Sequence, residues 1–406
     1  MRVLLVGSGG REHALAWKLS QSSGLAELHA APGNPGIAQL GHCHPVRAED
    51  GEGLLDLAHS LRADLVVVGP EVPLVGGVAD ELRHAGVAVF GPGRDAARIE
   101  GSKGFAKDVM HAAGIPTAGT MSVARPPCVL KVDGLAAGKG VFVCPDQPTL
   151  DEALLAAGRL DQPLVIEELL HGEEASLFAV ADGSNAVALA PARDYKRIGE
   201  GDTGPNTGGM GAYSPVPEVG DGEVQELVET VHRPALEELA RRGSPFVGLL
   251  YAGLMLTDAG PKVLEFNCRF GDPETQSILP RVRGDLLGAL AAAANGDLDA
   301  GALEAEDEAS VTVVIAGGDY PARGDSGTPI AGVDAAEATG ALVFHAGTAM
   351  RGSELVTNGG RVLNVTAVGA SLEEARERAY AACEVISFEG MRFRRDIARR
   401  AANVET

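Results

Sequence analysis

The first hundred residues alternate short apolar segments with amphipathic ones, and glycine-rich turns follow the apolar segments. The apolar segments predict strands over residues 3–6, 28–30, 65–68 and 87–90. The amphipathic segments predict helices over residues 11–19, 54–61 and 78–84. Strands that alternate with helices indicate βαβ units and an open parallel sheet. Ligands of such a sheet bind beyond the carboxyl ends of its strands, which is where these glycine turns lie.

The turn at residues 7–10 (GSGG) is where a dinucleotide-binding fold would show its fingerprint. The G-x-G-x-x-G pattern needs glycine at position 12, where this chain has Glu12. The acidic residue expected about 20 residues later is replaced by the sequence Ala-Pro-Gly at 31–33. The sequence therefore argues against NAD. The turn can still offer backbone N–H groups and a helix N-terminus to a single phosphate.

From about residue 99 the pattern becomes α+β. Helices are predicted over residues 102–113 and 223–241, and strands over 128–132, 141–143, 164–168, 176–181, 246–256 and 262–266. Residues 193–217 are predicted to be a long irregular segment rich in glycine, and long loops within domains are usually functional. From about residue 309, strands over 311–316, 341–346 and 362–367 precede a helix over 372–386. We predict three domains: 1–98 (parallel βαβ), 99–308 (α+β) and 309–406 (small α+β).

Composition excludes several classes of function. The formal net charge is −22 and aromatic residues make up 4% of the chain, so neither a basic stripe nor stacking platforms for nucleic acid are expected. The five cysteines are widely spaced and contain no C-x-x-C, which is typical of reduced thiols. No apolar run approaches the ~18 residues of a membrane span, and no signal peptide precedes the first strand. We expect a cytoplasmic protein that binds neither membrane nor nucleic acid.

A glycine-rich loop follows the strand that contains Lys131. Residues 131–141 (KVDGLAAGKGV) do not match a Walker A loop. A lysine on a strand beside a glycine-rich flap nevertheless suits the binding and covering of nucleotide phosphates. A surface hairpin with solvated lysines is the alternative for this segment.

Glu265 and Asn267 lie at the end of a predicted strand. Their i, i+2 spacing puts both side chains on one face, and a carboxylate and an amide oxygen suit Mg²⁺, which takes its other ligands from substrate phosphates. Arg269 follows on the same face if the strand continues, where it can bind a phosphoryl or carboxylate group bidentately. A salt-bridged strand end is the commoner alternative.

The strand at 164–168 ends in an acidic turn, residues 166–174 (IEELLHGEE). Its exposed backbone could bind the edge of an adenine, with Glu174 on the ribose hydroxyls. A solvated acidic loop is the alternative.

These motifs occur in one order, and together they resemble the phosphoribosylamine–glycine ligase family, whose members are ATP-grasp enzymes of purine biosynthesis. The resemblance covers essentially the whole chain. The matching segments are GSGGREHA at 7–14, APGNPG at 31–36, GPEVPLVGGVADEL at 69–82, EGSKGFAKDVMHAAGIPTA at 100–118, LKVDGLAAGKGV at 130–141, GPNTGGMGAYSP at 204–215, VLEFNCRFGDPETQ at 263–276 and GMRFRRDI at 390–397.

The resemblance implies that ATP, the co-substrate, binds between two α+β subdomains with Mg²⁺ or Mn²⁺. It assigns four groups of residues. ATP contacts would come from Lys103, Lys131, Gly138, Lys139, Gly140, Glu167, Leu169 and Glu174; metal ligands from Glu265 and Asn267; catalytic groups from Arg269, Asp194 and Lys196; and contacts to phosphoribosylamine and the glycyl intermediate from Gly9, Gly10, Asn34, Pro35, Gly36, Glu71, Asn206, Gly208 and Gly209.

Some positions depart from the family pattern. The third metal-binding acid of many ATP-grasp enzymes is replaced here by Gly253, and the usual Gln-Asp-His-Lys reads Arg-Asp-Tyr-Lys at 193–196. The expected reaction joins glycine to phosphoribosylamine through glycyl phosphate, with the flap at 138–140 and the loop at 199–211 excluding water. We expect small-molecule substrates and a monomer or weak homo-oligomer. The alternatives are another ATP-grasp carboxylate–amine ligase and a non-catalytic nucleotide-binding module.

Overall fold

The computed structural model describes residues 1–135 and 140–402. Its N-terminal region is an all-parallel sheet with the strand order β3-β2-β1-β4-β5, as the alternating pattern predicted. The strands are β1 (Arg2–Gly7), β2 (Glu27–Pro32), β3 (His42–Cys43), β4 (Leu65–Val68) and β5 (Val89–Phe90). The helices are α1 (Gly10–Leu19), α2 (Gly51–Leu61), α3 (Glu71–Gly76), α4 (Val78–His84) and α5 (Arg94–Gly101).

Helix α5 was not predicted from the sequence. Its apolar positions are mainly small, Ala96 and Ala97, and Ile99 is its one large aliphatic residue. The helix has only eight residues, and its charged side chains, Arg94, Asp95, Arg98 and Glu100, outweigh the apolar ones. No apolar run therefore marks it in the sequence. The helix nevertheless matters for the site, since Glu100 lies in its last turn.

Both faces of the parallel sheet are buried, and each is completed by the central region. Leu4 packs in one apolar cluster with Leu54 of α2 and with Leu250 of the central region. Its neighbour Leu5, on the other face, packs in a second cluster with Leu15 of α1. Parallel sheets are normally covered on both sides. Here the first hundred residues bury their sheet only together with the chain that follows.

The central region contains two larger antiparallel sheets, ordered β7-β6-β8 and β10-β9-β15-β16, and two two-stranded ones, β12-β13 and β17-β18. Its elements are α6 (Lys103–Ala112), β6 (Cys128–Val132), β7 (Val141–Cys144), α7 (Gln147–Gly158), β8 (Leu164–Glu168), β9 (Glu173–Asp182), β10 (Ala186–Ala188), β11 (Arg193–Asp194), β12 (Arg197–Gly199), β13 (Thr203–Asn206), β14 (Gly211–Ser214), α8 (Asp221–Leu227), α9 (Arg233–Arg241), β15 (Val247–Thr257), β16 (Gly260–Asn267), α10 (Glu274–Ile278), β17 (Val282–Arg283), α11 (Leu286–Asn295) and β18 (Glu304–Ala305).

The three-stranded sheet β7-β6-β8 has an apolar core of its own. Cys128 and Leu130 of β6 pack there with Cys144 of β7 and with Leu150 and Ala153 of α7. The central region therefore consists of two α+β subdomains. The helix predicted over 223–241 is divided, because a π-helical turn over Val228–His232 separates α8 from α9.

The C-terminal region forms an antiparallel sheet, β11-β14-β19-β24-β21, and a smaller one, β20-β23-β22. Its elements are β19 (Ala309–Ala316), β20 (Asp325–Pro329), α12 (Val333–Glu337), β21 (Leu342–His345), β22 (Thr348–Arg351), β23 (Glu354–Gly359), β24 (Arg361–Gly369), α13 (Leu372–Cys383) and α14 (Arg399–Ala402). None of the described helices is both long enough and apolar enough to span a membrane.

The prediction of an irregular segment at 193–217 was wrong in part. Strands β11 and β14 of this segment pair with each other, and β14 pairs with β19, so they extend the C-terminal sheet. Strands of two to four residues that contain glycine carry no alternating pattern of apolar residues. Their structure comes from partners about one hundred residues later in the chain.

Candidate active site

A cleft of about 1120 Å³ lies where the three regions meet. Most of the residues predicted to form the site line it: Glu71, Lys103, Lys131, Gly140, Glu167, Leu169, Glu174, Asp194, Lys196, Asn206, Gly208, Glu265, Asn267 and Arg269. Gly9, Gly10, Asn34, Pro35, Gly36 and Gly209 are not among its lining residues. The predicted contacts Gly138 and Lys139 lie outside the described residues.

A buried ion cluster connects the two central subdomains. Glu167 of β8, 2% exposed, accepts hydrogen bonds from Lys107 Nζ at 2.7 Å and Lys131 Nζ at 2.8 Å. Lys131 also donates to the carbonyl oxygen of Leu264 in β16, at 2.7 Å. The carboxylate of Glu167 is therefore neutralised by two ammonium groups, and the cluster ties β6 and β8 to β16.

Lys107 was not predicted to be part of the site. It lies one turn after Lys103 on α6, so the two ammonium groups share a helix face. Burial lowers the pKa of Lys107, although Glu167 opposes that effect. Lys103 donates its ammonium hydrogen bond to the Gly134 carbonyl oxygen at 2.8 Å, next to the predicted phosphate flap. The i, i+4 spacing of these lysines is the sequence signal that could have identified Lys107.

Asp194 and Lys196 lie in a group of mainly acidic side chains. Lys196 is ion-paired with Glu174 and lies 3.7 Å from Asp194 Oδ1. Burial raises the pKa of Asp194 to about 7, with Glu274, Glu174 and Glu265 adding to the effect and Lys196 opposing it. Burial acts to lower the pKa of Lys196, but the surrounding carboxylates hold it well above its ordinary value.

Glu265 and Asn267 lie at the end of β16 with the predicted i, i+2 spacing, and both line the cleft. Within the described residues, the Glu265 carboxylate has neither a hydrogen bond nor an ion pair. The Asn267 amide oxygen accepts one long hydrogen bond, 3.4 Å, from Arg269. No cluster of three or more His, Cys, Asp or Glu side chains forms a metal site in the described chain. Two free oxygen donors suit a cation that takes its remaining ligands from bound phosphates.

Arg269 lies beyond the end of β16. The strand therefore does not continue to it, which was the condition for placing Arg269 on the same face as Glu265 and Asn267. Its guanidinium is held by Glu71 at 3.3 Å and by Glu100 of α5 at 3.1 Å. Burial acts to lower the pKa of Arg269, but these carboxylates raise it overall. Glu71, predicted to lie near a ribose, is thus engaged by Arg269 and more distantly, at 3.8 Å, by Arg11.

The N-terminal glycine turn is filled by Glu12. The Gly9 N–H donates to the Glu12 carboxylate at 2.6 Å. A Cβ on Gly7 or Gly69 would lie within 2.6 Å of an atom of the Glu12 side chain. Glu12 therefore occupies the space between the ends of β1 and β4, where a dinucleotide fold would admit its cofactor.

The second N-terminal loop contacts the C-terminal region. Asn34 donates to the carbonyl oxygens of Ser8 and His345, both at 2.9 Å. A Cβ on Gly10 would lie 2.2 Å from the amide nitrogen of Asn364, so close packing against β24 requires glycine there. A role of these loops in binding a phosphate stays a prediction.

The glycine-rich loop after β13 is held by two C-terminal residues that the sequence did not single out. Arg361 donates to the carbonyl oxygen of Gly208 at 2.5 Å and to that of Asp272 at 2.8 Å. The Gly208 N–H donates to the Tyr320 hydroxyl at 2.9 Å. Gly209 has φ +109°, and a Cβ on it would lie 2.4 Å from Pro273. The loop therefore reaches the cleft in a conformation that only glycine allows.

Comparison with known proteins shows the family. Residues 1–100, 101–275 and 310–400 match the N domain, the ATP-grasp (A) domain and the C domain of phosphoribosylglycinamide synthetase. A phosphoribosylamine–glycine ligase of Streptomyces coelicolor is 52% identical over 99% of this chain and 100% of its own length. One of Rhizobium meliloti is 48% identical over all of both chains.

Solved structures agree with that assignment. The crystal structure of a phosphoribosylamine–glycine ligase from Thermotoga maritima has a TM-score of 0.82 and 36% identity, and the alignment covers 98% of this chain and 100% of that one. A biotin carboxylase domain from Hydrogenobacter thermophilus has a TM-score of 0.70 at 16% identity, which shows a shared fold alone. The chain belongs to the phosphoribosylglycinamide synthetase family, and the predicted fold class, family and enzyme class, an ATP-grasp ligase, are confirmed.

Proposed function

We propose that this protein joins glycine to 5-phosphoribosylamine with ATP, giving glycinamide ribonucleotide, ADP and phosphate through a glycyl phosphate intermediate. The main support is that one cleft contains three features: the lysines predicted to bind phosphate, the side-chain oxygens of Glu265 and Asn267 that suit a cation, and the opposite charges of Asp194 and Lys196, which match a zwitterion. Full-length similarity to ligases of that name supports the choice of substrates.

Activation of glycine is the step that needs ATP. A carboxylate is a poor acylating agent until one of its oxygens is phosphorylated, and phosphoryl transfer is accelerated mainly by positioning and by neutralising charge. Lys103 and Lys131 supply that charge from the side of α6 and β6. Arg269 supplies it from beyond the end of β16, where Glu71 and Glu100 hold its guanidinium in place.

The family uses ATP with a divalent cation, and Glu265 and Asn267 would hold it. Their chemistry fits Mg²⁺, or Mn²⁺ in its place, because both cations accept carboxylate and amide oxygens. When bound, the cation would neutralise charge on the phosphates. Gly253 is paired with Glu265 across β15 and β16, so no side chain from that position adds a further acid.

Asp194 and Lys196 suit glycine itself. The ammonium of Lys196 can bind the glycine carboxylate, while the carboxylate of Asp194 can bind the glycine ammonium. The amine of phosphoribosylamine then attacks the glycyl carbonyl carbon, and phosphate leaves with one former carboxylate oxygen. The loop that contains Gly208, held by Arg361, would help keep water from the acyl phosphate.

The fate of the carboxylate oxygens tests this reaction. With glycine labelled by ¹⁸O in its carboxylate, one label should appear in inorganic phosphate for each glycinamide ribonucleotide formed. Phosphorylation of the sugar amine, or hydrolysis of ATP by water, would leave phosphate unlabelled, so label-free phosphate alongside product would overturn the intermediate. Turnover with another acid and none with glycine would overturn the substrate assignment and leave the acyl phosphate chemistry standing.

A further inference from the structure

Asp194 ends β11, and Tyr195 and Lys196 form the link to β12. This link is attached to the C-terminal region through Tyr195. The Tyr195 hydroxyl accepts a hydrogen bond from the Ala398 N–H at 2.9 Å. The Tyr195 ring lies 4.8 Å from the guanidinium carbon of Arg394. The Tyr195 N–H donates to the Gly211 carbonyl oxygen at 3.0 Å, and the Met210 N–H donates to the Tyr195 carbonyl oxygen at 2.8 Å. Because backbone and side chain of Tyr195 are both held, its contacts also restrain its two neighbours.

Arg394 is 1% exposed, and its guanidinium is paired with carboxylate and carbonyl oxygens. Its guanidinium donates to both carboxylate oxygens of Asp396, at 2.8 and 2.6 Å. It also donates to Asp202 Oδ1 at 2.8 Å and to the Arg197 carbonyl oxygen at 3.0 Å. Burial of a guanidinium is favourable only with complete pairing. Two of these acceptors belong to the hairpin that follows Lys196, so this pairing joins residues 394–396 to the chain beside the site.

We propose that Tyr195 and Arg394 are positioning residues, which hold Asp194 and Lys196 in the orientation that the ligase reaction needs. They act through the backbone of residues 194–197. Tyr195 also lines the cleft, and in the described part of the chain neither side chain has a hydrogen bond or ion pair with Glu174 or Glu265. The inference rests on the proposed role of Asp194 and Lys196 toward glycine. It also accounts for tyrosine at position 195, since a phenol ring gives Arg394 a flat face and its hydroxyl reaches the Ala398 amide.

Loss of the contacts of Tyr195 and Arg394 should change the KM for glycine more than the KM for ATP. The predicted nucleotide contacts Lys103 and Lys131 belong to α6 and β6, which Tyr195 and Arg394 do not touch in the described chain. A misplacement of about 1 Å can cost 100-fold in rate. We expect Tyr195→Leu and Arg394→Met to lower kcat at least tenfold and to raise KM for glycine. The KM for ATP should change less than twofold.

Tyr380→Phe is the matched control. The Tyr380 hydroxyl donates to the Arg394 carbonyl oxygen at 2.7 Å and accepts from the Ile397 N–H at 3.1 Å. It therefore supports the same C-terminal segment without contacting the strand of Asp194. We expect this variant to lower the melting temperature and to leave kcat and both KM values unchanged.

Two further measurements test the positioning role. Tyr195→Phe, which keeps the ring and loses the hydroxyl, should retain more activity than Tyr195→Leu. Amide hydrogen exchange over residues 193–197 should speed up in Tyr195→Leu and Arg394→Met and stay at the wild-type rate in Tyr380→Phe. This readout does not depend on glycine, so a wild type inactive with glycine would refute the proposed function alone.

Folded variants with wild-type kinetics and wild-type exchange would overturn the positioning role. So would a loss of kcat in Tyr380→Phe equal to that in Arg394→Met. If Arg394→Met fails to fold, Tyr195→Leu and Tyr195→Phe test the same attachment from the other partner.

Discussion

Removal of Lys107 tests whether the buried ion cluster is one energetic unit. In Lys107→Met, Glu167 keeps a single partner, Lys131, in a site where its side chain is 2% exposed. The hydroxyl of Thr117 and the carbonyl oxygen of Ala118 also lose a donor, now 2.8 and 2.7 Å away. Methionine fills a similar volume, so the change removes charge and hydrogen bonds with little loss of packing.

The loss of stability in Lys107→Met depends on how far the Glu167 carboxylate stays paired. Breaking a buried ion pair outright costs ~3–5 kcal/mol. Because Lys131 still compensates Glu167, we expect the smaller loss of about 2–3 kcal/mol in local stability. The double variant Lys107→Met/Glu167→Leu leaves no uncompensated carboxylate. Its loss should fall short of the sum of the single losses by about 1–3 kcal/mol, the coupling typical of residues in contact.

Native-state hydrogen exchange measures the loss of stability around the ion cluster. Opening free energies of the amides in β6 and β8 report the stability of the sheet that contains the cluster. The KM for ATP gives a second readout. It should rise about tenfold in Lys107→Met, corresponding to about 1.4 kcal/mol, because Glu167 then holds Lys131 more strongly away from phosphate. A single variant as stable as wild type, or strictly additive single and double losses, would refute the idea of a coupled cluster.

Two further predictions follow from the described contacts. Glu265→Gln should abolish turnover with Mg²⁺ while its melting temperature stays at or slightly above that of wild type, because the carboxylate has no described partner and lies near Asp194. Unfolding of this variant with activity kept at low temperature would show a structural role. Burial lowers the pKa of His232 to about 4, so between pH 4 and about 6.5 the unfolded state binds more protons and stability falls as pH falls. In denaturation at pH 5 and 7.5, the stability of His232→Leu should change by about 2 kcal/mol less than that of wild type, and an unchanged pH dependence would contradict that cause.

The elements that the sequence predicted correctly share a local signal. Strand β1 reads as a continuous apolar run because both of its faces are buried, with Leu4 and Leu5 in different clusters. Glu265 and Asn267 could be paired from the sequence because strand geometry fixes the direction of i and i+2 side chains. The predicted dinucleotide exclusion was equally local, since Glu12 stands where the fingerprint needs glycine and fills that space in the structure.

The residues that the sequence did not reveal depend on distant partners. Lys107 matters because Glu167 lies 60 positions later and faces it across α6 and β8. Arg361 and Arg394 resemble ordinary surface arginines in sequence. Their structural roles depend on hydrogen bonds to distant residues: Arg361 donates to the Gly208 carbonyl oxygen, and Arg394 donates to the Asp202 carboxylate.

Pairing between distant strands also joins β11, which contains Asp194, to the C-terminal region. Asp194 belongs to β11, which pairs with β14, and β14 pairs with β19 through residues such as Tyr213 and Val311. Strands that are distant in the chain can pair in one sheet. The change of sequence pattern near residue 309 therefore marks the start of a chain segment, while the sheet also includes earlier strands. The side chains assigned to glycine are therefore held by backbone from a region that contributes none of the predicted catalytic groups. That arrangement is what makes Tyr195, the residue between them, the point at which the C-terminal region can act on the reaction.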